Sequence, residues 1–97
     1  MAEGSKGVGP ILRMSDDIDG IIQAIRDDNP DKEIRVIDRH AYVRIEGDPP
    51  LLLTRASIEN ELGRDYPLRE IELLMSSFSG VMDSSQSDRF IWSRKQM

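Results

Sequence analysis

The chain contains no cysteine, and His40 is its only histidine. Without thiols it forms no disulfide, offers no thiolate nucleophile, and holds neither an iron–sulfur cluster nor a zinc ion on sulfur. A lone histidine also removes the HxxxH and HExxH zinc spacings. No apolar run exceeds three residues, as at Leu51, Leu52 and Leu53, against about 20 for a membrane-spanning helix. The opening "MAEGSKGVGP" lacks the apolar core of a secretory signal. Positive charge is short as well: 13 Lys and Arg face 18 Asp and Glu, a net charge of −5. Phosphate binding needs a positive field, so nucleic acid and anionic membranes are poor partners. A chain with neither disulfides nor a signal is expected in the cytoplasm.

What is present is enough for one modest core. A chain of 97 residues buries roughly 60–65% of the surface it exposes when unfolded. Residues 1–7 are small and polar and read as a flexible tail; residues 8–97 read as a single α+β domain. "VGPILRM" is a strand with Pro10 at its start, where a missing N–H is tolerated. In "SDDIDGIIQAIRDDNP", Ile18, Ile21, Ile22 and Ile25 fall at i, i+3, i+4 and i+7, one apolar helical face. Ser15 or Asp16 caps that helix, and Pro30 stops it near Asp28. Gly20 weakens it by about 1 kcal/mol relative to alanine and points to a close backbone approach.

The stretch "DKEIRVIDRHAYVRIEGD" alternates apolar and polar residues on both sides of "DRH", which predicts two antiparallel strands and places His40 at the hairpin end. "LLLT" is a strand whose Thr54 caps a second helix, "RASIENELG", closed by Gly63. "LREIELLMSS" places Ile71, Leu73 and Met75 on one face of a strand, "FSGVMD" is a further strand with Gly80 inside it, and "RFIWS" is the last. "RKQM" reads as a frayed end. The order predicts two related β-α-β-β units with mainly antiparallel sheets and two helices packed on them. On that reading, alanine at Ile22 or Leu73 costs ~2–5 kcal/mol.

Chemistry is hard to find in these residues. His40 has no orienting partner and no companion ligands, so a solvated turn histidine outweighs a base or a metal ligand. Asp27, Asp28 and Asp31 cluster at a helix end without calcium-loop spacing, which suits a solvated corner. "GSKGVG" precedes a strand and lacks the helix that a phosphate loop needs. Met75 and Met82 at strand spacing read as core rather than copper ligands. A self-contained enzyme is therefore not expected. A ferredoxin-like ligand-binding module and a subunit kept for assembly alone both stay open at this point.

Taken in order, "VGPILR", "DNPDKEIRVIDRHAYVRIEG", "LTRASIENELGR" and "LREIELLMSSFSG" resemble the small effector proteins of bacterial multicomponent diiron monooxygenases. The resemblance runs over residues 8–92, and the opening looks most like the toluene and alkene monooxygenase branch, related to the methane and phenol monooxygenase regulatory proteins. It implies a cofactorless coupling subunit, not catalytic alone, with a monooxygenase regulatory protein-like fold. Its partner would be the diiron hydroxylase, which it binds in competition or alternation with a ferredoxin or reductase component. There it would tune turnover, coupling and regioselectivity in hydrocarbon oxidation.

For docking, the resemblance draws attention to Val8, Gly9 and Pro10, a segment able to order on binding, and to Asn29 and Arg55 in the matching segments. Tyr42 and Arg44 point outward from the first hairpin and are residue types favoured at interfaces. Ser79 and Gly80 mark a bulge or a close backbone contact. Solvated strand positions, capping and turn geometry explain the same residues without a partner. An arginine at Gly80 is expected to abolish stimulation and leave the fold intact.

Overall fold

A computed structural model describes residues 7–94. The expectation of a flexible tail falls almost wholly on residues 1–6, and that of a frayed end mostly on residues 95–97; both sets lie outside the described residues.

Leu12, Val43 and Ile45 point the same way from neighbouring strands and are almost fully buried. They belong to a four-stranded antiparallel sheet of β1 (Gly9–Arg13), β2 (Arg35–Asp38), β3 (Tyr42–Glu46) and β5 (Met75–Ser79), ordered β2-β3-β1-β5. A second antiparallel sheet, ordered β4-β7-β6, contains β4 (Leu51–Thr54), β6 (Val81–Asp83) and β7 (Arg89–Ser93). Its inner face supplies Leu51, Leu53, Phe90 and Trp92, and the last two rings lie 5.7 Å apart, tilted at 48°.

The first helix, α1 (Ile18–Asp28), buries Ile18, Ile21, Ala24 and Ile25, while Ile22 packs at the margin. The predicted cap shifts by a residue or two: Asp17 is the N-cap residue, and Ser15 acts on it, its Oγ accepting from Asp17 N at 3.1 Å. Gly20 is the close approach expected of it. A Cβ there would lie 2.5 Å from Leu62 Cδ2 on α2 (Arg55–Leu62), which crosses α1 at this point. At the start of α2, Thr54 Oγ1 accepts from Ser57 N at 3.2 Å, and Gly63 ends it in the left-handed region.

Residues 69–74 overturn one expectation. They form a helix, α3 (Arg69–Leu74), rather than the first part of a strand. Leu68 and Ile71 are buried and Leu74 is partly so, which is helical spacing. Leu73, assigned above to a buried face, is 68% exposed. The alternation Ile71, Leu73, Met75 coincided with a three-residue helical repeat, and tertiary packing chose the helix. Among the described residues there are thus three helices, not two.

The strand that remains, β5, leaves its own half of the chain and pairs with β1 of the other half. The two halves therefore share the four-stranded sheet, while the three-stranded sheet is built from the second half alone. Gly80 is where the chain passes from one sheet to the other, between β5 and β6, not inside a single strand. Its φ is +93°, and a Cβ would stand 2.5 Å from the Ser93 carbonyl oxygen and 2.7 Å from Val8 Cγ1. The close backbone contact is with the chain itself.

Candidate functional site

Strand alternation sorts the first sheet into two faces. With Leu12, Val43 and Ile45 turned into the core, the opposite face carries Tyr42 and Arg44 from β3, Ile11 and Arg13 from β1, and Arg35 and Ile37 from β2. The register places Ile11 opposite Arg44, Arg13 opposite Tyr42, and Ile37 opposite Arg44 on its other side. Tyr42 is 43% exposed. Arg44 Nη1 lies 3.0 Å from Glu46 Oε2 and reaches across β1 to Ser79 Oγ at 3.5 Å. Arg35 Nη2 approaches the other Glu46 oxygen at 3.5 Å. Glu46 itself is buried, so the two arginines neutralise a carboxylate that the sheet has removed from water.

Of the residues singled out from sequence, Tyr42, Arg44 and Ser79 share this face. Val8, Gly9 and Pro10 lie beside it but are buried. Val8 exchanges two backbone hydrogen bonds with Gly47, at 2.9 and 3.0 Å. Gly9 sits opposite Ser79 and Pro10 opposite Phe78. All three are folded into the sheet region of the isolated chain.

Asn29 and Arg55 are elsewhere. Asn29 is buried at the end of α1, with its amide bonded to the backbones of Ile25 and Leu52. Arg55 Nε donates to Glu59 Oε2 at 2.7 Å, and the same oxygen accepts from Tyr66 N at 2.8 Å, bracing α2 against the segment that leads to α3. The Arg55 guanidinium and the Tyr66 N–H hold the Glu59 carboxyl below its ordinary value. Both residues make structural contacts within the chain, and the Arg55 side chain remains 40% exposed.

His40 occupies the hairpin turn as expected. It is exposed with φ +70°, and its N–H donates to Asp38 Oδ1 at 2.8 Å. Among the described residues no group of three or more His, Asp or Glu side chains could hold a metal ion, and no helix is long and apolar enough to cross a membrane. Sequence reasoning overlooked Ile11, Arg13, Arg35 and Ile37. Ile11 and Arg13 alternate with the buried Leu12, whereas β2 buries no residue and the side of Arg35 and Ile37 is set by its pairing with β3.

The outward face of the sheet thus presents exposed arginines and a tyrosine around a buried carboxylate. The MmoB/DmpM family model matches residues 6–93. The chain belongs to the MmoB/DmpM family. One relative is the effector subunit of the alkene monooxygenase system of Xanthobacter autotrophicus (strain ATCC BAA-1158 / Py2). It is 53% identical over 81 residues, which are 84% of this chain and 80% of that one. Among solved structures, a chain of the phenol hydroxylase–regulatory protein complex superposes with a TM-score of 0.72 at 29% identity, over 90% of this chain and 95% of that one. The soluble methane monooxygenase regulatory protein B has a TM-score of 0.68 at 23% identity, over 100% of this chain and 71% of that one, and shows the shared fold. Like its MmoB/DmpM relatives, this chain is an effector component of a multicomponent monooxygenase and not its catalyst. The α+β fold with antiparallel sheets is the family's own.

Proposed function

We propose that this chain binds a diiron hydroxylase and biases it toward the conformation that activates oxygen, raising turnover and coupling and tuning regioselectivity in hydrocarbon oxidation. The observation that carries this reading is the likeness, at 29% identity over 90% of the chain, to a chain solved within a hydroxylase–regulatory protein complex. An alkene is the substrate favoured by the 53% identical relative; toluene and other arenes belong to the same reading. The chain works in the cytoplasm and alternates on the hydroxylase with a ferredoxin or reductase component.

The mechanism is differential binding. A partner without a cofactor alters a metal site only by preferring one conformer of the protein that holds it. Moving a conformer from 1:99 to 99:1 takes about 5.5 kcal/mol of preference, within reach of an interface burying about 1,600 Å² in total. Steady-state turnover of the cognate hydroxylase with its ferredoxin and reductase, measured with and without this chain, is the test. Product per oxygen consumed should rise with the chain added in equimolar amount. Full, coupled turnover in its absence would sink the reading.

A further inference from the structure

We infer that the outward face of the four-stranded sheet, built from Ile11, Arg13, Arg35, Ile37, Tyr42 and Arg44, is the surface that meets the hydroxylase, and that it selects an acidic, partly apolar patch there. This rests on the function proposed above and names the surface through which it operates.

Charge carries the argument. The chain is at −5, yet at the outward positions of these strands the cations outnumber the acids. Glu46 is the one carboxylate there among the described residues. Its side chain is only 4% exposed and lies between Arg35 and Arg44, which remain 42% and 40% exposed. The acid has been withdrawn while its partners still present donors outward, and Arg13 is exposed beside them. The face is thus locally positive on a negative molecule, which steers it toward an acidic patch and turns the helical side, rich in Asp and Glu, away. Ile11 and Ile37, half-buried between the arginines, supply apolar contact. Tyrosine and arginine are the residue types that most often dominate binding energy.

A second copy of the chain is the competing occupant, because its acidic helices would complement this face. Such a contact joins two different patches, and a heterologous contact that does not close propagates into filaments. Nucleic acid is disfavoured by the net charge.

The test measures affinity for the purified cognate hydroxylase by calorimetry at low and high sodium chloride. Arg13→Glu and Tyr42→Ala are chosen because neither touches the buried Glu46 pair, and Asp19→Lys on the exposed side of α1 is the control. Thermal unfolding of each variant checks the fold. Native binding should weaken with salt. Arg13→Glu should lose more than ~10-fold in affinity and much of the salt dependence, Tyr42→Ala should lose a comparable amount, and Asp19→Lys should stay near native. If the native chain binds and the two face variants bind equally well, or Asp19→Lys is the damaging change, the face is misassigned. Native self-association in sedimentation that Arg13→Glu abolishes would hand the face to a second copy. A native chain that does not bind at all overturns the proposed function itself, a different outcome from either.

Discussion

The side-chain amide of Asn29 and the backbone of Leu52 exchange two hydrogen bonds, Nδ2 donating to the Leu52 oxygen at 2.8 Å and the Leu52 N–H donating to Oδ1 at 3.1 Å. One side chain stands where a neighbouring strand would, on β4, an edge of the smaller sheet. The same Nδ2 donates to Ile25 O at 2.7 Å, so the last turn of α1 and the edge of β4 share one residue. Asp28, next to it, accepts from Thr54 N at 2.7 Å and Ser57 Oγ at 2.6 Å, locking the start of α2 to the same corner.

Asn29→Ala should therefore lower stability by about 2–4 kcal/mol, since buried backbone groups that lose their partners cost about 1–3 kcal/mol each. Asn29→Asp should fare no better, because a carboxylate cannot donate to the Ile25 and Leu52 carbonyls. Urea denaturation of both variants checks this, and a midpoint unchanged from native in either would show that the amide is dispensable.

The helix at residues 69–74 reverses an expectation drawn from the alternating pattern. Ile71→Ala should cost about 2–5 kcal/mol, as for other buried aliphatic truncations. Leu73→Ala should stay within about 0.5 kcal/mol, as exposed positions do. Equal losses at the two sites would mean that the segment packs as a strand after all.

Gly80 cannot accept the arginine that the sequence alone seemed to allow. A Cβ would press on the Ser93 carbonyl and on Val8, in a conformation that costs a non-glycine residue about 1–2 kcal/mol before any clash. Gly80→Ala should lose more than that in thermal unfolding, and Gly80→Arg should compromise folding itself. Gly63→Ala is the comparison: φ is +70° there with open space around it, so the conformational cost alone applies. A Gly80→Ala variant no worse than Gly63→Ala would refute the steric account.

Two glutamates on α2 respond to pH in opposite senses. Glu59 is held below the ordinary 4.5 by hydrogen bonds from the Arg55 guanidinium and the Tyr66 N–H. Its contribution is complete above the unfolded value and is lost as pH falls through the lowered one. Glu61 is raised above 4.5 by its hydrogen bond with the Asp27 carboxyl, with desolvation second. Its contribution is present below 4.5 and lost as pH rises through the raised value. Glu59→Gln should be less stable than native at neutral pH, with the gap closing on acidification. Glu61→Gln should be at least as stable as native at neutral pH and lose that advantage in acid. Thermal midpoints across the carboxylate range test both signs.

Local pattern was enough for much of the architecture. The 3.6-residue spacing of Ile18, Ile21 and Ile25 places α1, Thr54 and Gly63 bracket α2, and the alternation around "DRH" forms the hairpin, because each of these signals lies within a few residues of the structure it specifies. The lack of thiols and of a second histidine likewise argues against a reactive centre from the sequence itself.

Long-range contacts decided the rest. The segment holding Ile71 and Leu73 satisfies two periods at once, and burial of Leu68 and Ile71 against the core selected the helix. Whether Gly80 faces a partner or its own chain depended on Ser93 and Val8, which are distant in sequence. That Tyr42 and Arg44 share a face with Arg13 and Arg35 follows from sheet order, which no local pattern encodes. Side-chain alternation states which residues point together along one strand; only the pairing of strands states which of them meet.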